Sequence, residues 1–378
     1  MLYAGFMLRR ERLKRNWSQE GLCKGICTIS YLSKIEQGKA EPSEEILHML
    51  MERMGLVWHT ATDDMDRFIR HAYELLFSFE DGLGDFMAKE NESHFIFSPY
   101  GPDWALLKSF SEPASKPFDA EFEVCMNNRQ LALNRLLQHR GQEAICLYPI
   151  GFVYYIAGIH EYNAGRCASA LEMLQTAFQL AAQEGRPRLM MYCKVMMGNC
   201  YSNLRNSAAM EQHYEVAERL ARALDDTKFL SSISYNRAAT YLEMGNFRKA
   251  LAYFENIAHP TRMDLHKLAI CYEKLGCPDK AIAALDRSQT VSPSPGIPGE
   301  LEKLLLEIVR MRVCDHEYIK NAEYGEKLLL GFDLCRKHLP SGYAQFHLPW
   351  VLEWYESNRQ YKQALEVLRS FPDTAANR

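Results

Sequence analysis

The first 42 residues carry eight Lys and Arg against four Asp and Glu, a balance of +4 within a chain of net charge −4, which leaves −8 for the rest. A small basic head on an acidic body suits a chain that meets phosphates at one end only. Farther along, Asn199, Asn236 and Lys267 fall at corresponding places of successive helices. An amide offers a donor and an acceptor together, which suits the backbone of an extended peptide, and an ammonium suits a terminal carboxylate. Asparagine solvated on a helix is the plain alternative. Tyr155, Tyr192 and Tyr235 project from comparable positions, either as side-chain pockets or as packing between helices. Catalytic signatures are missing: no phosphate-binding G-x-x-x-x-G-K-[ST] loop, no G-x-G-x-x-G after a strand, no H-E-x-x-H and no nucleophile elbow. Gly82-x-Gly84 is too short to count, and the 12 histidines form no pair at metal-ligand spacing on one helix. We therefore expect no enzyme, no cofactor and no metal.

At 378 residues the chain is two or three times a usual domain of about 150, so more than one core is expected. With 47% hydrophobic and 24% charged residues it reads as globular. The 11 cysteines are odd in number, lack a C-x-x-C pair and sit among apolar neighbours, as reduced core thiols of a cytoplasmic protein do. The start of the chain lacks a charged-then-apolar signal pattern, and the longest uncharged run, Ala144 to Ile159, is broken by Pro149. It is short for a bilayer span of about 20 residues, so no membrane segment is expected.

These residues need elements to hold them. Leu8, Leu13 and Trp17 suggest the apolar face of a first helix; Ser18 caps a second, which Gly25 ends. Thr28 caps a third, with Leu32 and Ile35 inward and Ser30, Ser33, Lys34 and Gln37 outward, until Gly38. Glu41-Pro42-Ser43 supplies a turn and a cap for a helix carrying Ile46, Leu47, Leu50 and Met54. Five short helices fit in about sixty residues. Asp63 to Phe86 stays helical, and Ser98 to Pro117, with four prolines, reads as the loosest stretch.

Beyond residue 119 a phrase recurs: Tyr241-x3-Gly245-Asn-Phe-x2-Ala250-Leu251, Tyr272-x3-Gly276-x4-Ala281-Ile282 and Tyr355-x8-Ala364-Leu365, preceded by weaker copies at Tyr162-x2-Gly165-x4-Ala170-Leu171 and Tyr201-x8-Met210. Equivalent small positions 170, 210, 250 and 281 lie 40, 40 and 31 apart, bracketing the roughly 34 residues of a tetratricopeptide repeat. Glycine permits the tight turn, the small residue permits close crossing, and the tyrosine fills the gap. Thr290 to Glu300, with Pro293, Pro295 and Pro298, interrupts the register before a last helical pair, whose Trp350, Trp354 and Tyr355 suit a solenoid cap. The expected fold is all-α: a helix-turn-helix bundle at residues 1–62, a helical linker at 63–118 and a right-handed tetratricopeptide-like solenoid at 119–378.

The head's motifs, Gly5-x2-Leu8-Arg9-x2-Arg12, Ser18-Gln19-Glu20-x-Leu22, Ser30-x-Leu32-Ser33-Lys34-Ile35-Glu36-x-Gly38 and Pro42-Ser43, resemble the Xre/Cro-type helix-turn-helix. The shortened turn Gly25-Ile26-Cys27, followed by Ser30-Tyr31-Leu32, is similar to the heads of the Rgg, PlcR and NprR peptide-pheromone regulators. The resemblance implies that Thr28 to Gln37 enters the major groove of double-stranded DNA with Ile29, Ser30, Ser33 and Lys34 toward base edges. It implies a phosphate contact from Gln19 and an Arg12–Glu36 pair bracing the first helix against the third; Arg9, Lys24 and Lys39 are candidates for further phosphate contacts, with solvated surface charge as the plain alternative. Gly21 departs from the pattern by standing where a polar helix former is usual.

The resemblance further implies a cytoplasmic, quorum-sensing transcriptional regulator, homodimeric on a palindromic operator, with a short signalling peptide in the concave groove of the repeats. Two alternatives stand beside it: a ligand-independent repressor that uses the repeats only to dimerise, and a protein-protein adaptor.

Overall fold

The computed structural model describes residues 2–112, 118, 120–339 and 341–371, and every regular element among them is helical. The chain divides into two compact units: Met1–Ala157 with Thr176–Met190, and Gly158–Gln175 with Met191–Arg378.

The first unit opens with α1 (Leu2–Lys14), α2 (Gln19–Cys23), α3 (Ile29–Glu36) and α4 (Glu44–Arg53). Ser18, Thr28 and Ser43 are extended and accept the backbone N–H of Gly21, Tyr31 and Ile46, so each satisfies an orphan donor of the helix it starts. Four helices, not five, precede residue 62. Gly55 at φ 73° ends α4, and the chain runs without a helix until Thr62 caps α5 (Asp63–Ser78). The buried face of α1 is Tyr3, Ala4, Met7 and Leu8, packed with Leu22, Leu32, Ile35, Leu47 and Leu50. Leu13 and Trp17 are off that face, 51% and 37% exposed. Five residues of helix turn the chain about 140° from Leu8, so Leu13 cannot share its side.

The same unit continues with α6 (Leu83–Met87), α7 (Glu92–Ile96), α8 (Gly101–Ser111), α9 (Ala120–Glu123), α10 (Asn128–Leu137) and α11 (Gly141–Leu147). The stretch expected to be loosest instead holds α8, with Trp104, Leu106 and Leu107 buried. Pro102 lies in its first turn, where a missing N–H costs no helical bond. Pro113 and Pro117 lie outside the described residues. Phe122 of α9 meets Tyr3 and Phe6 edge-on at 5.8 and 5.3 Å, and the Tyr3 hydroxyl donates to the Ile96 carbonyl at 2.8 Å, so the head shares its core with later helices.

Three helices, α12 (Gly151–Asn163), α13 (Cys167–Gln183) and α14 (Pro187–Asn203), contribute to both units. The second unit continues through α15 (Ser207–Ala223), α16 (Thr227–Glu243), α17 (Phe247–Phe254), α18 (Arg262–Lys274), α19 (Pro278–Arg287), α20 (Gly299–Cys314), α21 (Ala322–His338), α22 (Ser341–Ser357) and α23 (Tyr361–Arg369). Sequence neighbours pack together, α16 on α17 and α18 on α19 most extensively. Ala170, Met210, Ala250, Ala281 and Ala364 are all buried where paired helices cross. The turns at Gly165, Gly245 and Gly276 have φ of 79°, 77° and 73°; in the two copies without glycine, Arg205 and Arg359 adopt 55° and 59° instead. The left-handed turn recurs even where its usual residue does not.

Among the described residues four helices, not one pair, follow the proline-rich break. The connection from α20 to α21 is a 3-10 turn at Tyr318–Lys320 with no Tyr-x3-Gly phrase, so the repeat pattern passes over it. The 11 cysteines are free and Cys23, Cys167, Cys193, Cys200, Cys271 and Cys335 are buried, but Cys146 and Cys314 are exposed, contrary to a reading of all as core thiols. Among the described residues no helix is long and apolar enough to cross a membrane.

Candidate functional site

In the head, Ile29, Ser30 and Lys34 stand exposed on α3, and Ser33, half-buried, accepts the Gln37 amide at 3.1 Å. What holds this face is an ion pair beneath it. Arg12 Nε and Nη2 donate to the two carboxylate oxygens of Glu36 at 2.6 and 2.8 Å, and Arg12 Nη1 donates to the Trp17 carbonyl at 2.7 Å. Both side chains are buried, so the fork fixes α1 against α3 in one geometry. Gln19, which the resemblance assigned to phosphate, donates its amide to the same Glu36 at 2.8 Å and so ties α2 into the brace.

Half of the head's cations are already engaged. Arg10, Lys14 and Arg15 surround Glu11 at 3.4, 2.8 and 2.8 Å, and Arg12 holds Glu36. Lys24, Lys34 and Lys39 are exposed, and Arg9 lies 4.0 Å from Glu121 with both side chains in solvent. An exposed pair at that distance contributes little, which leaves Arg9 able to meet another anion.

In the second unit, a groove of about 360 Å³ brings together Asn199 from α14, Asn236 and Tyr235 from α16, and Lys267 from α18. Asn199 Oδ1 accepts the Tyr214 hydroxyl at 2.6 Å and faces Asn236 Nδ2 at 3.5 Å. Tyr214 lies against Gly198, where a Cβ would come within 2.3 Å of its ring, so the glycine is what lets α15 present this hydroxyl. Ser202 and Thr240 hydroxyls sit 2.7 Å apart, and Thr240 donates to the Asn236 carbonyl at 2.9 Å, joining α14 to α16.

Lys267 is 5% exposed, its Nζ 3.8 Å from the centre of the Phe346 ring. Burial lowers its pKa, against the pull of Glu243. Glu243 is exposed in the groove, and the desolvation it meets there pushes its carboxyl up to about 7, with Lys267 and Arg205 opposing. Tyr235 hydrogen-bonds Tyr343, and burial raises its phenol well above the usual value. Tyr155 and Tyr192 do not line this groove. Tyr155 is buried edge-on to Phe79 at 4.9 Å, and Tyr192 packs edge-on to Phe229 at 4.7 Å. Among the described residues no group of three or more His, Cys, Asp or Glu is placed to hold a metal ion.

Residues 8–57 match the helix-turn-helix family model. The head is a helix-turn-helix domain. Residues 231–257, spanning α16 and α17, match the tetratricopeptide repeat model. The chain is 22% identical over 278 residues to the transcriptional activator NprA of Geobacillus stearothermophilus, covering 62% of this chain and 68% of that protein. Its fold is similar to a Rap protein complexed with competence and sporulation factor, with TM-score 0.55 and 15% identity over 83% of this chain and 98% of that one. It is also similar to the Rap conjugation gene regulator of plasmid pLS20 in complex with the Phr* peptide, with TM-score 0.50 and 12% identity over 99% and 96%. What the two Rap structures share with this chain is the fold of helical repeats.

Among the groove residues that the sequence did not point to are Glu243, Tyr214 and Phe346. Glu243 follows Asn236 by seven positions, two helical turns along one face of this tetratricopeptide helix, so its signal was present. Tyr214 falls outside the repeat phrase, and Phe346 comes from α22, which no local pattern connects to α18.

Proposed function

We propose that this protein is a homodimeric, cytoplasmic transcriptional regulator that reads a palindromic operator with its helix-turn-helix head and binds a short signalling peptide in its repeat groove, without catalysing a reaction. The observation that carries the DNA half is α3 itself: an outward face of Ile29, Ser30 and Lys34 on a helix locked by the Arg12–Glu36 fork. Lys34 suits guanine acceptors, Ile29 a thymine methyl, and Ser30 and Ser33 neighbouring base edges. Arg9, Lys24 and Lys39 suit the flanking phosphates, as does the second amide N–H of Gln19, the first being given to Glu36.

The peptide half is supported by Asn199 and Asn236, whose amides line one groove with Tyr235 and Lys267. Such amides suit a peptide backbone, and the two Rap structures were solved with a competence and sporulation factor and with Phr* peptide. Tyr155 and Tyr192 support the walls of their repeats more than the groove. A single head covers few base pairs, so two-fold pairing on half-sites about one helical turn apart supplies the rest.

Selection from randomised duplex DNA at physiological salt tests the head. Wild type should enrich one site, and Lys34→Ala should weaken it by about 1–3 kcal/mol and relax preference at one base pair. A wild-type head without sequence preference removes the DNA reading. Titrating short synthetic peptides, chosen from small reading frames beside the gene, against the Asn199→Ala, Asn236→Ala double variant tests the groove; unchanged affinity removes these asparagines from it.

A further inference from the structure

Two charged side chains line the repeat groove without a counter-ion in contact. Glu243, at the end of α16, is the one carboxylate among the described lining residues, and Lys267, on α18, is the one ammonium. Neither makes a hydrogen bond or ion pair with another described residue; the Lys267 ammonium lies on the Phe346 ring. An aromatic face attracts a cation but does not neutralise it, and a buried ammonium without an anion is costly, whereas Glu243 is exposed in the groove and open to a cation from outside. The other groups facing Glu243 are Arg205 from the turn after α14, Tyr162 from α12 and Tyr214 from α15. The rest of the polar lining is amide and hydroxyl, with the amides of Asn163, Asn199, Asn203 and Asn236 among them. The groove thus offers neutral hydrogen bonding between one negative and one positive pole.

Resting on the peptide reading above, we propose that Glu243 and Lys267 select the ligand by charge: a short peptide whose free C-terminal carboxylate meets Lys267 and whose Lys or Arg side chain, within one or two residues of that carboxylate, meets Glu243. The spacing follows from reach. Both poles line one groove of about 360 Å³, which holds only a few residues of an extended chain advancing about 3.3 Å each. A distant amino terminus would overshoot Glu243, and an acidic neighbour would be repelled by it.

The test is affinity selection with mass-spectrometric readout from a synthetic pentapeptide library with free termini, using the full-length protein. Wild type should retain peptides with Lys or Arg enriched near the C-terminus by about tenfold, the effect of one charge-assisted pair. Glu243→Gln, which keeps shape, should still retain peptides but lose that enrichment, and Glu243→Lys should turn it toward Asp and Glu. For a retained cationic peptide, calorimetry should show proton release near pH 7 and weaker binding at pH 6 than at pH 8, because a docked cation favours the ionised carboxyl; Glu243→Gln should abolish both. Peptides retained without charge preference, or with a preference unchanged in Glu243→Gln, overturn this inference and leave the groove as a peptide site. No retained peptide at all overturns the peptide reading and the inference with it.

Discussion

His266 and His347 lie fully enclosed in the second unit with ring centres 6.0 Å apart, beside Lys267 and Trp350. Burial holds both neutral; it pushes His347 down to about 4, against a hydrogen bond with the Tyr343 carbonyl, and moves His266 the same way with His347 and Lys267 adding to it. Because each folded pKa lies below the unfolded value near 6.5, the unfolded chain binds more protons in acid. Their contribution is complete above about pH 6.5 and is lost as pH falls toward 4, on the order of 3 kcal/mol for His347. His266→Leu should therefore move the acid-unfolding midpoint, followed by circular dichroism, to lower pH. A midpoint unchanged or raised would mean that the buried rings do not drive acid sensitivity. At this scale Asn199, Asn236 and Lys267 were legible because repeat spacing sets them at matching places on the first helices of successive pairs, α14, α16 and α18. Gln19 was not, since its partner Glu36 sits on another helix 17 residues away.

Helix boundaries were the most legible elements, because caps act within a few residues: Ser18, Thr28 and Ser43 each accept from the third residue of the helix they start. Repeat turns were legible only where glycine marks them. Gly276 and Arg359 occupy the same left-handed position at φ 73° and 59°. A side chain there meets steric strain of about 1 kcal/mol that glycine avoids. Gly276→Ala, with no atom within 4 Å of the new Cβ, should destabilise the fold by about 1 kcal/mol through the backbone alone. Arg359→Gly should relieve comparable strain, partly offset by greater freedom of the unfolded chain. Urea midpoints that shift together, or not at all, would contradict a turn whose conformation is common to both copies.

At the scale of the whole molecule the charge division has a consequence for regulation. The cations of the helix-turn-helix head available for phosphate are Arg9, Lys24, Lys34 and Lys39, while residues 43–378, the groove among them, sum to −8. A peptide can shift DNA binding only through different affinity for two arrangements of the protein, and the coupling is reciprocal. If a bound peptide changes operator affinity tenfold, saturating operator should change peptide affinity by the same factor. Fluorescence anisotropy on the DNA and calorimetry on the peptide measure the two arms. A sustained inequality at equilibrium would exclude simple coupling between groove and head.

Helical class, the capped head, the repeat phrase and the basic N-terminal segment were all determined by sequence, since each depends on residues a few positions apart or on charge summed along the chain. Tertiary structure alone decided which polar groups converge. It turned Gln19 onto Glu36, enclosed Tyr155 beside Phe79, and set Phe346 of α22 under the Lys267 ammonium of α18. Periodicity says which face of a helix is apolar; which faces then meet depends on the turn angles and side-chain volumes accumulated between them, and those are not local.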